Sequence, residues 1–246
     1  MTTHRPLISV IIPAYNAAAF LADAVDSIRR QAYQPLEIII VDDGSTDGTA
    51  EVAARLGGEV RYVRQPNGGP AVARNHGLRL ARGEVIAFLD ADDVWPDGRL
   101  EVQLERLLAE PQLQIVLGMV RYVRLPGARH PKFPMEDQEP GAHSEYLGAS
   151  LFRREVFETV GPFDEALPAG EDLDWIFRAR EAGLSIAGVK HVTLHYRLHA
   201  TNMTLGRNVV ASALTRSFKR RLDRSRQAGQ NYTPLRPLAD YYDGPA

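Results

Sequence analysis

Apolar and polar positions along the first part of the chain fall into a repeating order. Leu7–Pro13 (LISVIIP), Leu36–Val41 (LEIIIV), Val60–Val63 and Val85–Leu89 (VIAFL) are short apolar runs, the pattern of strands buried on both faces. Between them, Ala17–Arg30, a short stretch through Ala54 and an Ala- and Arg-rich stretch ending near Arg82 have helical spacing. Asp42–Thr49 (DDGSTDGT) and Asn67–Pro70 (NGGP) punctuate the order as turns. Strand–helix–strand alternation of this kind predicts an α/β fold, a mostly parallel central sheet with helices on both faces.

The second part is less regular. Leu100–Leu108, Ser150–Val160 and Glu171–Ala182 read as helices, and Ile115–Val123 and Val189–Leu198 as strands. Pro126–Pro140 reads as a Pro- and charge-rich loop, Asn208–Arg226 as a helix, and the Pro-, Tyr- and Asp-rich stretch that ends the chain as a loose tail. The pattern changes near Gly98, and no internal repeat is present.

Composition narrows the picture. At 246 residues and 44% hydrophobic, the chain can build one sizeable core. A net charge of −2 and a pI near 6.4 give no overall bias towards nucleic acid. The absence of cysteine excludes disulfides, thiolate zinc sites and cysteine nucleophiles, and fits a reducing compartment. Leu7–Ile12 is too short for a signal core or a membrane span, and no segment reaches about eighteen uncharged apolar residues. The expectation is a soluble, cytoplasmic protein, at most peripheral to a membrane.

Candidate chemistry collects where strands end, the place where open parallel sheets bind ligands. Asp90, Asp92 and Asp93 follow the fourth strand. Asp90 and Asp92 can point at one hard cation such as Mg2+ or Mn2+. They can equally form an acidic turn capping a helix over Trp95–Leu108. Asp42 and Asp43 follow the second strand and can accept hydrogen bonds from a base or ribose, or make Asx turns. Tyr15, in Pro13-Ala14-Tyr15-Asn16, can lie against a base or pack on the sheet. Arg74, after the NGGP turn, suits a diphosphate or a base edge; on its own it reads as an exposed surface arginine. No GxGxxG follows the first strand and no GxxxxGK[ST] occurs anywhere.

Three carboxylates, Glu171, Asp172 and Asp174, crowd a predicted helix start, where the helix dipole alone favours them. If the pair faces the acidic corner, Asp172 can serve as a general base. His191, His195 and His199 recur every four residues, placing them on one face. His191 reads as structural, His199 can complete a metal shell, and Arg197 can hold a phosphate.

Seven stretches in order resemble the inverting GT-A glycosyltransferases of family 2. They are ISVIIPAYNA (Ile8–Ala17), IIIVDDGSTDGT (Ile38–Thr49), NGGPAVARNHGL (Asn67–Leu78), GEVIAFLDADD (Gly83–Asp93), GPFDE (Gly161–Glu165), GEDLDWIFR (Gly170–Arg178) and YRLHATNMT (Tyr196–Thr204). By this resemblance the fold is the GT-A nucleotide-diphospho-sugar transferase fold. Asp90-Ala91-Asp92 is then the DxD motif for metal and diphosphate, and Pro13, Tyr15, Asp42 and Arg74 are nucleotide contacts, with Asp43 competing at its corner. Asp172 is the catalytic base, Glu171 its acceptor-binding neighbour, and His199 a late metal or diphosphate contact.

The resemblance further implies one-step displacement at the anomeric carbon with inversion. The donor is a nucleotide-diphosphate sugar, UDP-linked by preference, and the acceptor a carbohydrate or lipid-linked hydroxyl of polysaccharide, glycolipid or cell-envelope glycan synthesis. Residues 1–98 are the nucleotide-sugar half, 99–204 the acceptor half of the same domain, and 205–246 a basic amphipathic helix and tail. The QxxRW motif and membrane spans of processive members are absent, which favours transfer of a single sugar. Two other classes compete: a catalytically silent nucleotide-sugar binding module, and a sugar nucleotidyltransferase. The latter carries a Gly-rich basic loop where this chain has PAYNAAAF. In the final helix Val210, Leu214, Phe218 and Leu222 form an apolar stripe beside Arg216, Lys219, Arg220, Arg221, Arg224 and Arg226. Such a helix docks on its own core, or lies on anionic lipid through 207–226.

Overall fold

Strand β1 (Ile8–Ala14) sets the layering. Ile8, Val10 and Ile12 point into one core and Ile11 into the other, the two-residue alternation of a strand covered on both sides. A computed structural model of the chain describes residues 5–58, 60–128, 139–202, 209–227, 229 and 234–242, with side chains from 212 onward in the last helix.

The first part contains α1 (Leu21–Arg29), β2 (Leu36–Asp42), α2 (Thr49–Leu56), β3 (Val60–Arg64), α3 (Pro70–Leu80), β4 (Val85–Phe88) and α4 (Arg99–Ala109). The second part contains β5 (Ile115–Arg124), β6 (Ala142–His143), β7 (Leu151–Arg153), α5 (Glu155–Val160), α6 (Glu171–Glu181), β8 (Ile186–Leu198) and α7 (Val209–Gln227). Strands run in the order β3-β2-β1-β4-β7-β5-β6, with β8 paired to β5. Pairing is parallel among β1 to β4 and between β5 and β8, and antiparallel where β7 and β6 enter, so the sheet is mixed and largely parallel.

Leu21, Val25 and Ile28 of α1 and Leu100, Leu104 and Leu107 of α4 fill one core. Ala71 and Ala73 of α3, Val156 of α5 and Trp175, Ile176 and Ala179 of α6 fill the other. Each fully buried Val, Leu or Ile stabilises the sheet by about 1.5–3 kcal/mol, which is why the alternation dictates the layers.

Three expectations are corrected. Ser150–Val160 is not one helix: Leu151, Phe152 and Arg153 form β7, inserted between β4 and β5, and only Glu155–Val160 is helical. Three residues are too few to display alternation, and the partners that recruit them lie far away in sequence. Nor is the C-terminal stretch wholly a loose tail. Leu238–Tyr241 make a 3₁₀ turn and Tyr242 is 1% exposed, its ring filling the space above Gly188 and stacking on His143 at 4.2 Å. Finally, His191, His195 and His199 do not share a face. Val192 and His195, three residues apart, oppose Met119 and Arg121, two apart, so a bulge interrupts the alternation of β8, and His199 lies beyond its end. Most of the Pro126–Pro140 loop (129–138), and Met203 and Thr204 with Arg207 at the start of the last segment, lie outside the described residues.

The pattern change near Gly98 falls at the start of α4, while β7 from the later half sits directly beside β4 of the earlier one. Both halves thus share one sheet. No helix among the described residues is long and apolar enough to cross a membrane.

Candidate active site

The carboxyl end of β4 opens into a turn, with the Asp93 N–H donating to the Asp90 carbonyl at 3.0 Å. α4 begins only at Arg99, after Gly98 and without a side-chain cap, so the acidic turn does not cap it. Instead the turn is joined to β8. Val94 and His195 form an isolated antiparallel bridge, and the Arg197 N–H donates to Asp93 Oδ1 at 2.9 Å. That register carries His199 to the corner, where its Nε2 lies 3.0 Å from Asp92 Oδ2. The imidazole is oriented by the Thr201 hydroxyl 2.9 Å from Nδ1 and by the Phe20 ring at 4.4 Å. Asp93, 2% exposed, is held well above the usual carboxylate range by burial and then by the charges of Asp92 and Asp90.

Arg197 does not present its guanidinium to an incoming phosphate. Its Nη1 donates to Asp23 at 2.8 Å, Nη2 to the Phe20 carbonyl at 3.4 Å, and Nε to the Asp92 carbonyl. It staples the corner to the start of α1.

Arg74 is the centre of the site. Gly77, one turn further along α3, lies so close to β1 that a Cβ there would come within 2.3 Å of Ile11, and this approach seats α3 on the sheet. Arg74 is therefore buried, with its side chain 7% exposed, and the surface-arginine reading fails. Nη2 donates to Asp90 Oδ1 at 2.7 Å, and Nη1 is paired with Glu171. The neighbouring Asn75 grips the GPFDE turn through the Phe163 N–H and carbonyl, both at 2.9 Å. Two of the seven stretches are thus explained by one contact.

Glu171 and Asp172 stand on the first turn of α6, which has no side-chain cap of its own. Burial raises Glu171, with Arg74 opposing and Asp172 adding to the rise. The carboxylate of Asp172 lies close enough for its charge to act on Arg74, Glu171, Asp90 and Tyr146. Its Oδ1 accepts the Leu173 N–H at 2.7 Å. Asp90 is also raised, by the surrounding protein first, against the pull of Arg74. Its side chain is still 45% exposed, so solvent moderates that shift more than at Asp93.

At the ends of β1 and β2 both carboxylates are spent locally. Asp42 is fully buried and accepts from the Tyr62 hydroxyl at 2.5 Å and the Ser45 N–H at 2.8 Å. Asp43 accepts from the Gly68 and Gly69 N–H groups at 2.9 and 2.7 Å, and from Gln65 at 2.8 Å. Asp43 therefore anchors the NGGP turn that launches α3. Pro13 is half-buried, and Tyr15 is 54% exposed beside this wall.

The donor set at the corner fits a hard cation. Asp90 and Asp92 offer partly open oxygens on one turn, with His199 beside them. Among the described residues no group of three His, Asp or Glu cages an ion. A Mg2+ or Mn2+ shared with a diphosphate needs only one or two protein carboxylates.

Sequence reasoning did not single out Tyr122, Tyr146 and Tyr196. Their rings cluster at 5.4–5.7 Å between the acidic corner and α6. Tyr196 opens the YRLHATNMT stretch, but no single motif marks the three together, because β5, the segment before β7, and β8 each contribute one.

A largely parallel sheet with open carboxylates at the end of a central strand, and a second acidic pair across an arginine, is the arrangement that the resemblance to GT-A glycosyltransferases implies. The chain belongs to glycosyl transferase family 2, whose family model matches residues 9–161. An uncharacterized glycosyltransferase of Rickettsia typhi is 30% identical over 235 residues, 89% of this chain and 74% of its own. TuaG of Bacillus subtilis, named for teichuronic acid biosynthesis, is 44% identical over 112 residues, 44% of each chain. Among solved structures, the mannosyltransferase PcManGT of Pyrobaculum calidifontis, in complex with GDP-Man and Mn2+, matches with a TM-score of 0.71 at 24% identity, covering 96% of this chain and 67% of that one. S. aureus TarS in complex with UDP-GlcNAc matches at 0.67 and 20% identity, covering 82% and 61%. At these identities the solved structures establish the fold, and the family establishes a glycosyltransferase that draws on a nucleotide sugar.

Proposed function

We propose that this enzyme is an inverting, metal-dependent transferase that moves one sugar from a nucleotide-diphosphate donor to an acceptor hydroxyl. The observation that carries the reading is the Arg74 bridge: one guanidinium touches Asp90 and Glu171, so the donor corner and the first turn of α6 meet at one place.

In this reading residues 1–98 hold the donor and 99–204 face the acceptor. The nucleoside lies against Pro13 and the exposed Tyr15 ring, on a wall that the buried Asp42 and Asp43 brace from behind. Asp90, Ala91 and Asp92 meet the diphosphate, and Asp90, Asp92 and His199 would hold Mn2+ or Mg2+. When bound, the ion supplies neutralising charge to the departing diphosphate. Asp172 takes the proton of the acceptor hydroxyl as its oxygen attacks the anomeric carbon. The bond to the diphosphate breaks, and its electron pair leaves with the nucleotide. General-base help of this kind is worth roughly 10²–10⁴ in rate. Glu171, held by Arg74, flanks the acceptor.

The name of TuaG supports a cell-envelope glycan as the acceptor class. α7 meets its surroundings in two ways. Arg220, Arg221 and Arg224 are spent on Asp164, Glu181 and Asp174, while Leu214, Phe218 and Leu222 remain exposed. That stripe, with exposed Lys219 and Arg226 beside it, supports peripheral contact with a lipid surface that presents the acceptor. Flotation with anionic vesicles tests this, and Phe218→Ser should release the protein.

The experiment for the reaction itself is a turnover screen of UDP-GlcNAc, GDP-Man and related donors, with Mn2+ or with EDTA. The reading expects Mn2+-dependent release of nucleotide diphosphate and a product of inverted anomeric configuration. Metal-independent turnover, or a retained configuration, would contradict it.

A further inference from the structure

α7 lies across the back of α6, at the turn that carries Asp172. Gly170, the residue before α6, has a left-handed backbone at φ 83°. A Cβ there would sit 2.8 Å from the Ala213 Cβ. The Ser217 hydroxyl, fully buried, donates to the Gly170 carbonyl at 3.3 Å. Along the same face Arg224 donates to Asp174 at 2.8 Å and to Glu181 at 3.0 Å, and Arg221 donates to Glu181 at 2.9 Å. α6 is thus gripped at both ends by side chains of α7, and its first turn is held from behind by small residues. The chain that brings His199 to Asp92 continues into this helix.

We propose that α7 is a brace for the catalytic turn, with Ala213 and Ser217 as positioning residues that fix the direction in which Asp172 projects. The inference rests on the assignment of Asp172 as base and adds to it the element that aims it. A helix that only covered apolar surface would need neither the close approach to Gly170 nor a hydroxyl on its carbonyl. Displacing a reacting group by about 1 Å can cost on the order of 10² in rate, so a contact this tight has kinetic consequences.

The full chain carrying Gly170→Ala, Ala213→Gly, both together, or Ser217→Ala tests the brace, with UDP-GlcNAc and GDP-Man as donors in the presence of Mn2+. Gly170→Ala should lower kcat at least about tenfold with donor KM unchanged within about twofold. Ala213→Gly removes the Cβ that the new methyl strikes but not the strain of an alanine at φ 83°, so the double variant should recover part of the lost kcat, at least about threefold. Hydrogen exchange needs no substrate: Ser217→Ala should speed exchange at residues 171–174 and leave 175–181 unchanged. Retained kcat in Gly170→Ala, a loss that Ala213→Gly leaves undiminished, or unchanged exchange at 171–174 would overturn the brace. Undiminished turnover in Asp172→Asn would instead sink the assignment of the base, so the two failures are distinguishable.

Discussion

Arg74 Nη2 donates to Asp90 at 2.7 Å, while the other end of the same guanidinium pairs with Glu171, 97 residues further along the chain. One cation therefore holds together two acidic groups that would otherwise repel each other.

Removing it should be costly. Arg74→Met leaves Asp90 and Glu171 facing each other with no counter-charge, and breaking a buried pair from one side typically costs about 3–5 kcal/mol. Urea unfolding should show that loss, and Mn2+-dependent donor binding should disappear with it. Wild-type stability in Arg74→Met would mean that the bridge does not hold the two halves of the site.

At the neighbouring contact, His199→Ala removes the imidazole 3.0 Å from Asp92. Mn2+ affinity measured by calorimetry should weaken at least about tenfold, since even a group that only orients a metal ligand is worth about 10–100-fold. Asp92→Ala should abolish the dependence of donor binding on the ion. Unchanged Mn2+ titrations in both variants would remove the corner's assigned role.

A pH effect is expected at the opposite end of the sheet. Burial pushes Glu37 up, but hydrogen bonds from the Ser9 hydroxyl at 2.6 Å and from the Arg82 backbone and side chain at 2.7 and 3.1 Å outweigh it and hold the carboxyl below the usual range. A lowered folded value means stability that is present above about pH 4.3 and is lost as the pH falls through the folded value. Glu37→Gln should therefore lower Tm most at neutral pH, and the gap from wild type should close in acid. A gap independent of pH would contradict the carboxylate's role.

Much of the first half was legible because its strands are continuous apolar runs whose partners follow in sequence, as Ile8–Ala14 and Leu36–Asp42 do. The acidic residues at their ends could be named as candidates for the same reason. What could not be read were contacts made across the chain. Arg74 alone looked like a surface residue because nothing local shows that Gly77 lets α3 approach Ile11. β7 was hidden because three residues carry no period. Arg197 looked free to bind phosphate because Asp23, its partner, is 174 positions away.

Tyr242 was missed as well, and it supplies a stability prediction. Its hydroxyl accepts from the Ser144 N–H at 3.1 Å and lies within 3.0 Å of the Gly118 and Ser144 carbonyls. Tyr242→Ala should cost about 3–5 kcal/mol by leaving a cavity. Tyr242→Phe should cost about 1–3 kcal/mol through the stranded polar groups. Chemical denaturation distinguishes these from the near-zero change expected of a solvent-exposed tail.

The most direct test of the account is Asp172→Asn, followed by donor calorimetry and turnover on one preparation, with Mn2+ and the best donor of the screen. The account predicts donor affinity within about twofold of wild type and a kcat reduced by about 10²–10⁴, since only proton removal from the acceptor is lost. Turnover at the wild-type rate would contradict it.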